Sequence, residues 1–64
     1  MKQSVKVSKK GISYIFTLPC VESITKMPDN MMMVIACIGG RMTPAFEGDW
    51  LCEDEKGNWT IERQ

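Results

Sequence analysis

A chain of 64 residues, with 44% hydrophobic residues, 25% charged residues and no net charge, has room for one small domain spanning residues 1–64. This composition is enough for a folded core, so we do not expect disorder in the body of the chain. The longest apolar run, residues 31–38, is far shorter than the roughly 20 residues of a membrane-spanning helix. Lysines at positions 6, 9 and 10 interrupt the stretch where a signal peptide would be apolar, so we expect a cytoplasmic protein.

The cysteines and the absence of histidine limit the chemistry. Cys20, Cys37 and Cys52 are odd in number and none forms a CxxC pair, so we expect reduced, mostly buried thiols and no metal site. A Ser-His or Cys-His nucleophile pair cannot form without histidine. The sequence therefore predicts a protein that is not an enzyme and needs no cofactor.

The charges are divided between the two halves of the chain. Residues 1–26 sum to +4 and residues 27–64 sum to −4. Two interpretations are open: the halves complement each other within one fold, or a basic face meets an acidic partner.

The N-terminal part alternates polar and apolar residues. Residues 4–8 and 12–18 both show the period of two that is typical of strands, and the second segment places Ile12, Tyr14, Phe16 and Leu18 on one face. The short segment Lys9-Lys10-Gly11 between them fits a hairpin loop with glycine in the left-handed conformation. We therefore expect a first hairpin over residues 4–18.

The middle of the chain contains the most apolar stretch. Residues 21–27 are a weaker strand candidate, and Pro28-Asp29-Asn30 is a turn signal that would fold them against residues 31–38. Residues 31–38 fit either a fully buried central strand or a short apolar helix, and the strand is favoured because the helix would have no polar face. Gly39-Gly40 then fits a two-residue hairpin turn.

The C-terminal part predicts two further elements. Residues 41–46 are the return strand, which Pro44 confines to a sheet edge or shortens. Residues 49–53 and 59–63 form the clearest hairpin, with Lys56-Gly57-Asn58 supplying the turn and the acidic run 53–55 solvated at its tip. About six short antiparallel strands and no confident helix indicate an all-β fold, a curled sheet or barrel of SH3-like or OB-like size.

Residues 39–61, GGRMTPAFEGDWLCEDEKGNWTI, carry a Gly turn, a Met, a Gly-Asp-Trp segment and an aromatic strand. This stretch resembles the C-terminal region of short, largely uncharacterised phage and prophage proteins. Met42, Gly48, Asp49, Trp50, Gly57 and Trp59 occupy the matching places, whereas Glu47 stands where those proteins have proline and one extra residue separates Met42 from Gly48. The resemblance implies a β structure and a phage or prophage origin, and it brings no catalytic residues.

Three large side chains are candidates for binding a protein partner: Met32, Trp50 and Trp59. The alternative is that all three are core residues. In a strand, Met32 faces away from Met31 and Met33, so both faces must be covered unless one is left open for a partner. Asp49, between glycine and tryptophan, is expected to hold a tight turn.

The sequence thus favours a small protein–protein interaction module. Self-association as a homodimer, and a role as a phage or prophage accessory protein that acts on a host factor, are two narrower forms of this hypothesis. The alternative is a nucleic-acid-binding barrel, in which lysines contact phosphates and an aromatic ring stacks on bases. The residues that would do so are Lys2, Lys6, Lys9, Lys10 and Tyr14.

Overall fold

The computed structural model describes residues 2–29 and 31–63, which form six strands and one short helix. The elements, in chain order, are β1 (Gln3–Lys6), α1 (Ile12–Ile15), β2 (Val21–Lys26), β3 (Met32–Ile38), β4 (Arg41–Phe46), β5 (Trp50–Glu53) and β6 (Trp59–Glu62). The strands make two antiparallel sheets of three, in the orders β1-β5-β6 and β2-β3-β4. The fold is therefore all-β, as the alternation predicts, although the strands form two sheets and do not close into one barrel.

Two successive hairpins build the β2-β3-β4 sheet. The strands predicted over residues 21–27, 31–38 and 41–46 are confirmed. Gly39 and Gly40 form the β3–β4 turn with φ of 58° and 82°, a region that glycine enters without a steric cost. In the β2–β3 connection, Pro28 and Asp29 lie in a turn, and a carboxylate oxygen of Asp29 accepts the Met31 N–H at 3.1 Å. Asn30, the third residue of the predicted turn, lies outside the described residues.

The β1-β5-β6 sheet contains the second predicted hairpin, which is also confirmed. Asp54 holds its turn, because one carboxylate oxygen accepts the N–H groups of Lys56 and Asn58 at 2.8 and 2.9 Å. The hydrogen bond from the Asn58 backbone is the main reason that the pKa of Asp54 lies below its usual range. Strand β1 joins the sheet by pairing Val5 with Leu51.

The predicted strand over residues 12–18 is wrong. Residues 12–15 form helix α1, and the chain continues through tighter turns in which Thr17 and Leu18 donate to carbonyls three residues earlier. Gly11 has φ of −97°, so it does not occupy the predicted left-handed position. In consequence Tyr14 and Phe16, predicted on the core face with Ile12, are 52% and 59% exposed.

The core lies between the inner faces of the two sheets and is completed by α1. The buried hydrophobic side chains that pack into one cluster come from every part of the chain: Val7, Ile15, Leu18, Cys20, Met32, Val34, Ala36, Ala45, Leu51 and Trp59. No helix in the described part of the chain is long and apolar enough to cross a membrane.

The acidic run, residues 53–55, is predicted to be solvated, and this prediction is wrong for Glu53. Glu53 is the last residue of β5 and is buried, with 8% of its surface exposed. The side-chain amide of Gln3 donates to one of its carboxylate oxygens at 2.8 Å, and the Lys2 ammonium lies 3.8 Å from the other. A buried carboxylate needs such partners, because desolvation of an unpaired charge is costly.

At the β4 edge of the β2-β3-β4 sheet, several backbone groups bond to residues outside the sheet. At the β4 edge, Pro44 has no N–H to offer, and the guanidinium of Arg63 donates to its carbonyl at 3.0 Å. The Phe46 N–H donates to the Asp49 carboxylate, and the Phe46 carbonyl accepts the Asp49 N–H, both at 2.9 Å. The predicted edge position of Pro44 is confirmed, and the Pro44 carbonyl and both backbone groups of Phe46 already have partners.

Candidate protein-binding face

The β2-β3-β4 sheet has an apolar face directed away from the core, which we call the outer face. In an antiparallel sheet, paired residues project to the same side. The register pairs Met33 with Phe46, Ile35 with Pro44 and Cys37 with Met42, and on the other side it pairs Thr25 with Met33 and Ser23 with Ile35. The outer face therefore consists of Ser23, Thr25, Met33, Ile35, Cys37, Met42, Pro44 and Phe46.

The outer face exists because β3 is apolar on both sides. Met32, Val34 and Ala36 are buried, whereas the alternate residues Met33 and Ile35 are half-buried. A strand that packs on a core through one face normally carries polar residues on the other. The outward residues of β3 break that pattern, and so do those that β4 places beside them.

The exposure of this face is substantial. Met42 is 59% exposed and Phe46 is 39% exposed. None of the residues on the outer face is charged, although 25% of the chain is. Three strands about 4.8 Å apart and some 20 Å long give the face an area of about 300 Å². The apolar part of this face, on β3 and β4, is a contiguous patch of the kind that is often functional on a monomer.

The three residues predicted to bind a partner are placed differently from one another. Met32 and Trp59 belong to the core, with 3% and 9% of their surface exposed. Their position matches the alternative that large side chains fill the core of a small domain. Trp50 is 40% exposed and lies on the other sheet, where the Lys6 ammonium is 6.0 Å from its ring centre. The structure thus does not bring the three together on one surface.

The lysines proposed for nucleic-acid binding have different local surroundings. Lys2 pairs with Glu53, and Lys6 lies beside Trp50 on the β1-β5-β6 sheet. Lys9 lines a groove between α1 and β2, and Lys10 is exposed in the turn before α1. The Tyr14 hydroxyl donates to the side-chain oxygen of Gln3 at 2.8 Å.

The cysteines are free thiols in different environments. Cys20 and Cys52 are buried, whereas Cys37 is half-buried on the outer face. Burial is the largest cause of a raised pKa for the Cys20 thiol, which keeps it protonated and unreactive at neutral pH. Over residues 2–29 and 31–63, no group of three or more acidic, cysteine or histidine side chains could hold a metal ion.

Comparison of this chain with known protein families, curated proteins and solved structures found no match. The function must therefore be argued from the structure itself.

The sequence does not single out the residues of the outer face, although one signal points to them. The alternation of the three methionines requires that both faces of β3 be covered, unless one is left open for a partner. Met32 is the residue of this stretch predicted to bind a partner, and the structure places it in the core and turns Met33 outward. Both sets of alternate residues in β3 are apolar, so the sequence gives no basis for choosing between them.

Proposed function

We propose that this protein is a non-enzymatic interaction module that binds a protein partner through the outer face. The observation that carries the proposal is the uncharged, apolar composition of that face on an otherwise ordinarily charged chain. Water contact with this surface is unfavourable, and burial against a partner would remove that cost at about 25 cal/mol for each Å² of apolar surface.

The chemistry of the outer face favours a protein partner with an apolar surface of its own. Met42 and Met33 are flexible side chains that adapt to different shapes, and Phe46 supplies a larger aromatic contact. Ser23 and Thr25 form a polar border on the β2 side, as at the rim of protein interfaces. The Pro44 carbonyl and the Phe46 N–H are already bonded to Arg63 and Asp49, which argues for recognition by side chains and against strand addition along that part of the β4 edge.

The resemblance of residues 39–61 to phage and prophage proteins supports a narrower form of the proposal. Those residues include β4, which supplies half of the apolar side chains of the outer face. On this basis the partner is a host protein, and the chain is a phage or prophage accessory protein that acts on it.

The nucleic-acid alternative has less support. Lys2 is paired with Glu53 and Lys6 lies over the Trp50 ring, so two of its lysines already contact other side chains of the chain. Binding to a phosphate backbone needs several cations on one surface, because each neutralised phosphate adds to the affinity.

The proposal can be tested by site-specific photo-cross-linking in the producing cells or their host. A photo-reactive amino acid is placed at Met42 or Phe46, and the matched control position is Thr60, which is exposed on the β1-β5-β6 sheet. We expect the same partner protein to be captured from both outer-face positions and not from Thr60. The purified partner should then bind the chain at least tenfold more weakly when Phe46→Ser is introduced.

Two results would contradict the proposal. One is the capture of no common protein from Met42 and Phe46, and the other is equal capture from Thr60. A purified partner whose dissociation constant is unchanged by Phe46→Ser would also place the binding surface elsewhere.

A further inference from the structure

Strand β2 has an open edge. It is the outer strand of its sheet, and in the described part of the chain no other strand pairs with its free side. The Met27 N–H donates to the Met31 carbonyl, so residues 27 and 31 form a hydrogen-bonded pair. Because such pairs alternate along an antiparallel ladder, Thr25 directs its backbone groups toward β3, whereas Ile24 and Lys26 direct theirs toward the open edge.

A groove lies beside this edge on the core side of the sheet. It has a volume of about 420 Å³ and runs between α1 and β2, lined by Lys9, Ile12, Phe16, Ile24, Lys26 and Met32. The side chains that line it are apolar or cationic, with no carboxylate among them. A strand added to the β2 edge would direct every second side chain into this groove, where an apolar group and a carboxylate would be complementary.

The required order of those two groups follows from the register. Opposite an antiparallel strand, an apolar residue would face Ile24 and an acidic residue would face Lys26. Because the added strand runs in the opposite direction, its acidic residue comes two positions before its apolar residue. Strand β2 itself carries that pattern, since Glu22 precedes Ile24 by two residues.

We propose that the occupant of this edge is a second copy of the chain, with β2 paired to β2 about a two-fold axis at Ile24. The N–H and carbonyl of each Ile24 would bond those of the other, and Lys26 of each copy would face Glu22 of its partner. Glu22 lies at an irregularity between Val21 and Ser23 and its side chain is exposed, so it is free to reach across. The pairing is isologous, as in most homodimers.

This pairing has a consequence for the outer face. It would join two three-stranded sheets into one of six strands, in the order β4-β3-β2-β2-β3-β4. The two outer faces would then be continuous, with an area of about 600 Å². A standard protein interface buries about 800 Å² on each side, so the dimer would approach that size whereas one copy alone would not.

Charge exchange at the edge tests the pairing, with oligomeric state measured by analytical ultracentrifugation over a range of concentrations. We expect the unaltered chain to dimerise. Lys26→Glu alone or Glu22→Lys alone would place like charges opposite each other twice in each dimer, and should raise the dissociation constant about tenfold. The double variant Glu22→Lys with Lys26→Glu restores both attractions and should restore the dimer. Both positions are exposed, and circular dichroism checks that each variant is folded.

Hydrogen exchange supplies the second measurement. In the dimer the Ile24 amide is bonded to the other copy, so its exchange should slow as the protein concentration rises, whereas the already paired Thr25 amide should change much less. Either of two results would overturn the proposal. One is a chain that stays monomeric. The other is a dimer that neither single variant weakens and in which exchange of the Ile24 amide does not slow as the protein concentration rises. Neither result bears on cross-linking from Met42, so failure of the pairing is distinguishable from failure of the proposed function.

Discussion

At the scale of single residues, Asp49 connects three parts of the molecule. Its side chain is buried, and one carboxylate oxygen accepts both the Phe46 N–H and an N–H of the Arg63 guanidinium at 2.9 Å. Its own carbonyl accepts the Val7 N–H at 2.8 Å, which links the β4–β5 turn to the segment after β1. The predicted role of Asp49 in holding a turn is confirmed, and the link to the C-terminal arginine is an addition that no local pattern indicates.

We expect Asp49→Ala to lower the free energy of unfolding by about 2–3 kcal/mol, because the Phe46 N–H and the Arg63 guanidinium both lose a buried, charged acceptor. Arg63→Ala should cost about 1 kcal/mol or less, because the arginine is largely exposed and its ion pair is screened by water. Urea denaturation followed by tryptophan fluorescence measures both changes. Glu62→Ala, at a neighbouring exposed position, is the control and should change the free energy by less than about 0.5 kcal/mol. A smaller loss for Asp49→Ala than for Arg63→Ala would contradict this account.

At the scale of elements, the turns after β2, β3 and β5 and the strands from β2 onward follow from local sequence, whereas α1 and the segment before it do not. Residues 12–18 satisfy a period of two through Ile12, Tyr14 and Phe16, and they equally satisfy a period of three through Ile12, Ile15 and Leu18. Strand propensity favours the first pattern, and it was overridden because Ile15 and Leu18 complete the core between the sheets. The information that decided the element therefore lies in distant residues.

The same dependence on distant residues explains why the sequence does not identify the outer face. The strand assignment of residues 31–38 predicts two apolar faces, but the choice of the inner face depends on what packs against it. Val34 and Ala36 are placed inward with Met32 by their contacts with Ala45, Leu51 and other distant core residues. The open edge of β2 likewise depends on sheet order, which no local pattern encodes.

The helical placement of residues 12–15 makes a testable difference between two neighbouring side chains. Ile15→Ala should lower the free energy of unfolding by about 2–4 kcal/mol, because Ile15 is fully buried. Phe16→Ala should have a much smaller effect, about 1 kcal/mol or less, because the ring is 59% exposed. A strand with Phe16 in the core would give the reverse order, and chemical denaturation of the two variants distinguishes the cases.

At the scale of the whole molecule, the basic half of the chain is partly balanced by the acidic half. The net charge is zero, and Lys2 of the N-terminal half is placed against Glu53 of the C-terminal half. The segregation of charge along the sequence is therefore partly complementary within the fold, as one of the two interpretations proposed. The surface feature on which the proposed function depends is the apolar outer face.

We therefore expect weak retention of the protein on heparin, with little dependence on salt concentration. A surface that binds several phosphates would instead lose affinity steeply as salt rises, because counterions are released on binding. The charge variant Lys9→Ala with Lys10→Ala is the matched comparison and should elute at the same salt concentration as the unaltered chain. Strong retention that this variant abolishes would favour the nucleic-acid alternative.

The hydrogen bonds that β4 already makes to Asp49 and Arg63 limit the number of copies that strand pairing can add to the sheet. Pro44 contributes no donor, and Asp49 and Arg63 already bond the neighbouring groups. In the proposed pair, the β2 edge of each copy is occupied, and the β4 edge presents Pro44 and Phe46 groups that are not available to another strand. Addition of a further strand at β4 is therefore disfavoured, which limits the assembly to two copies and hinders extension of the apolar sheet into a fibril.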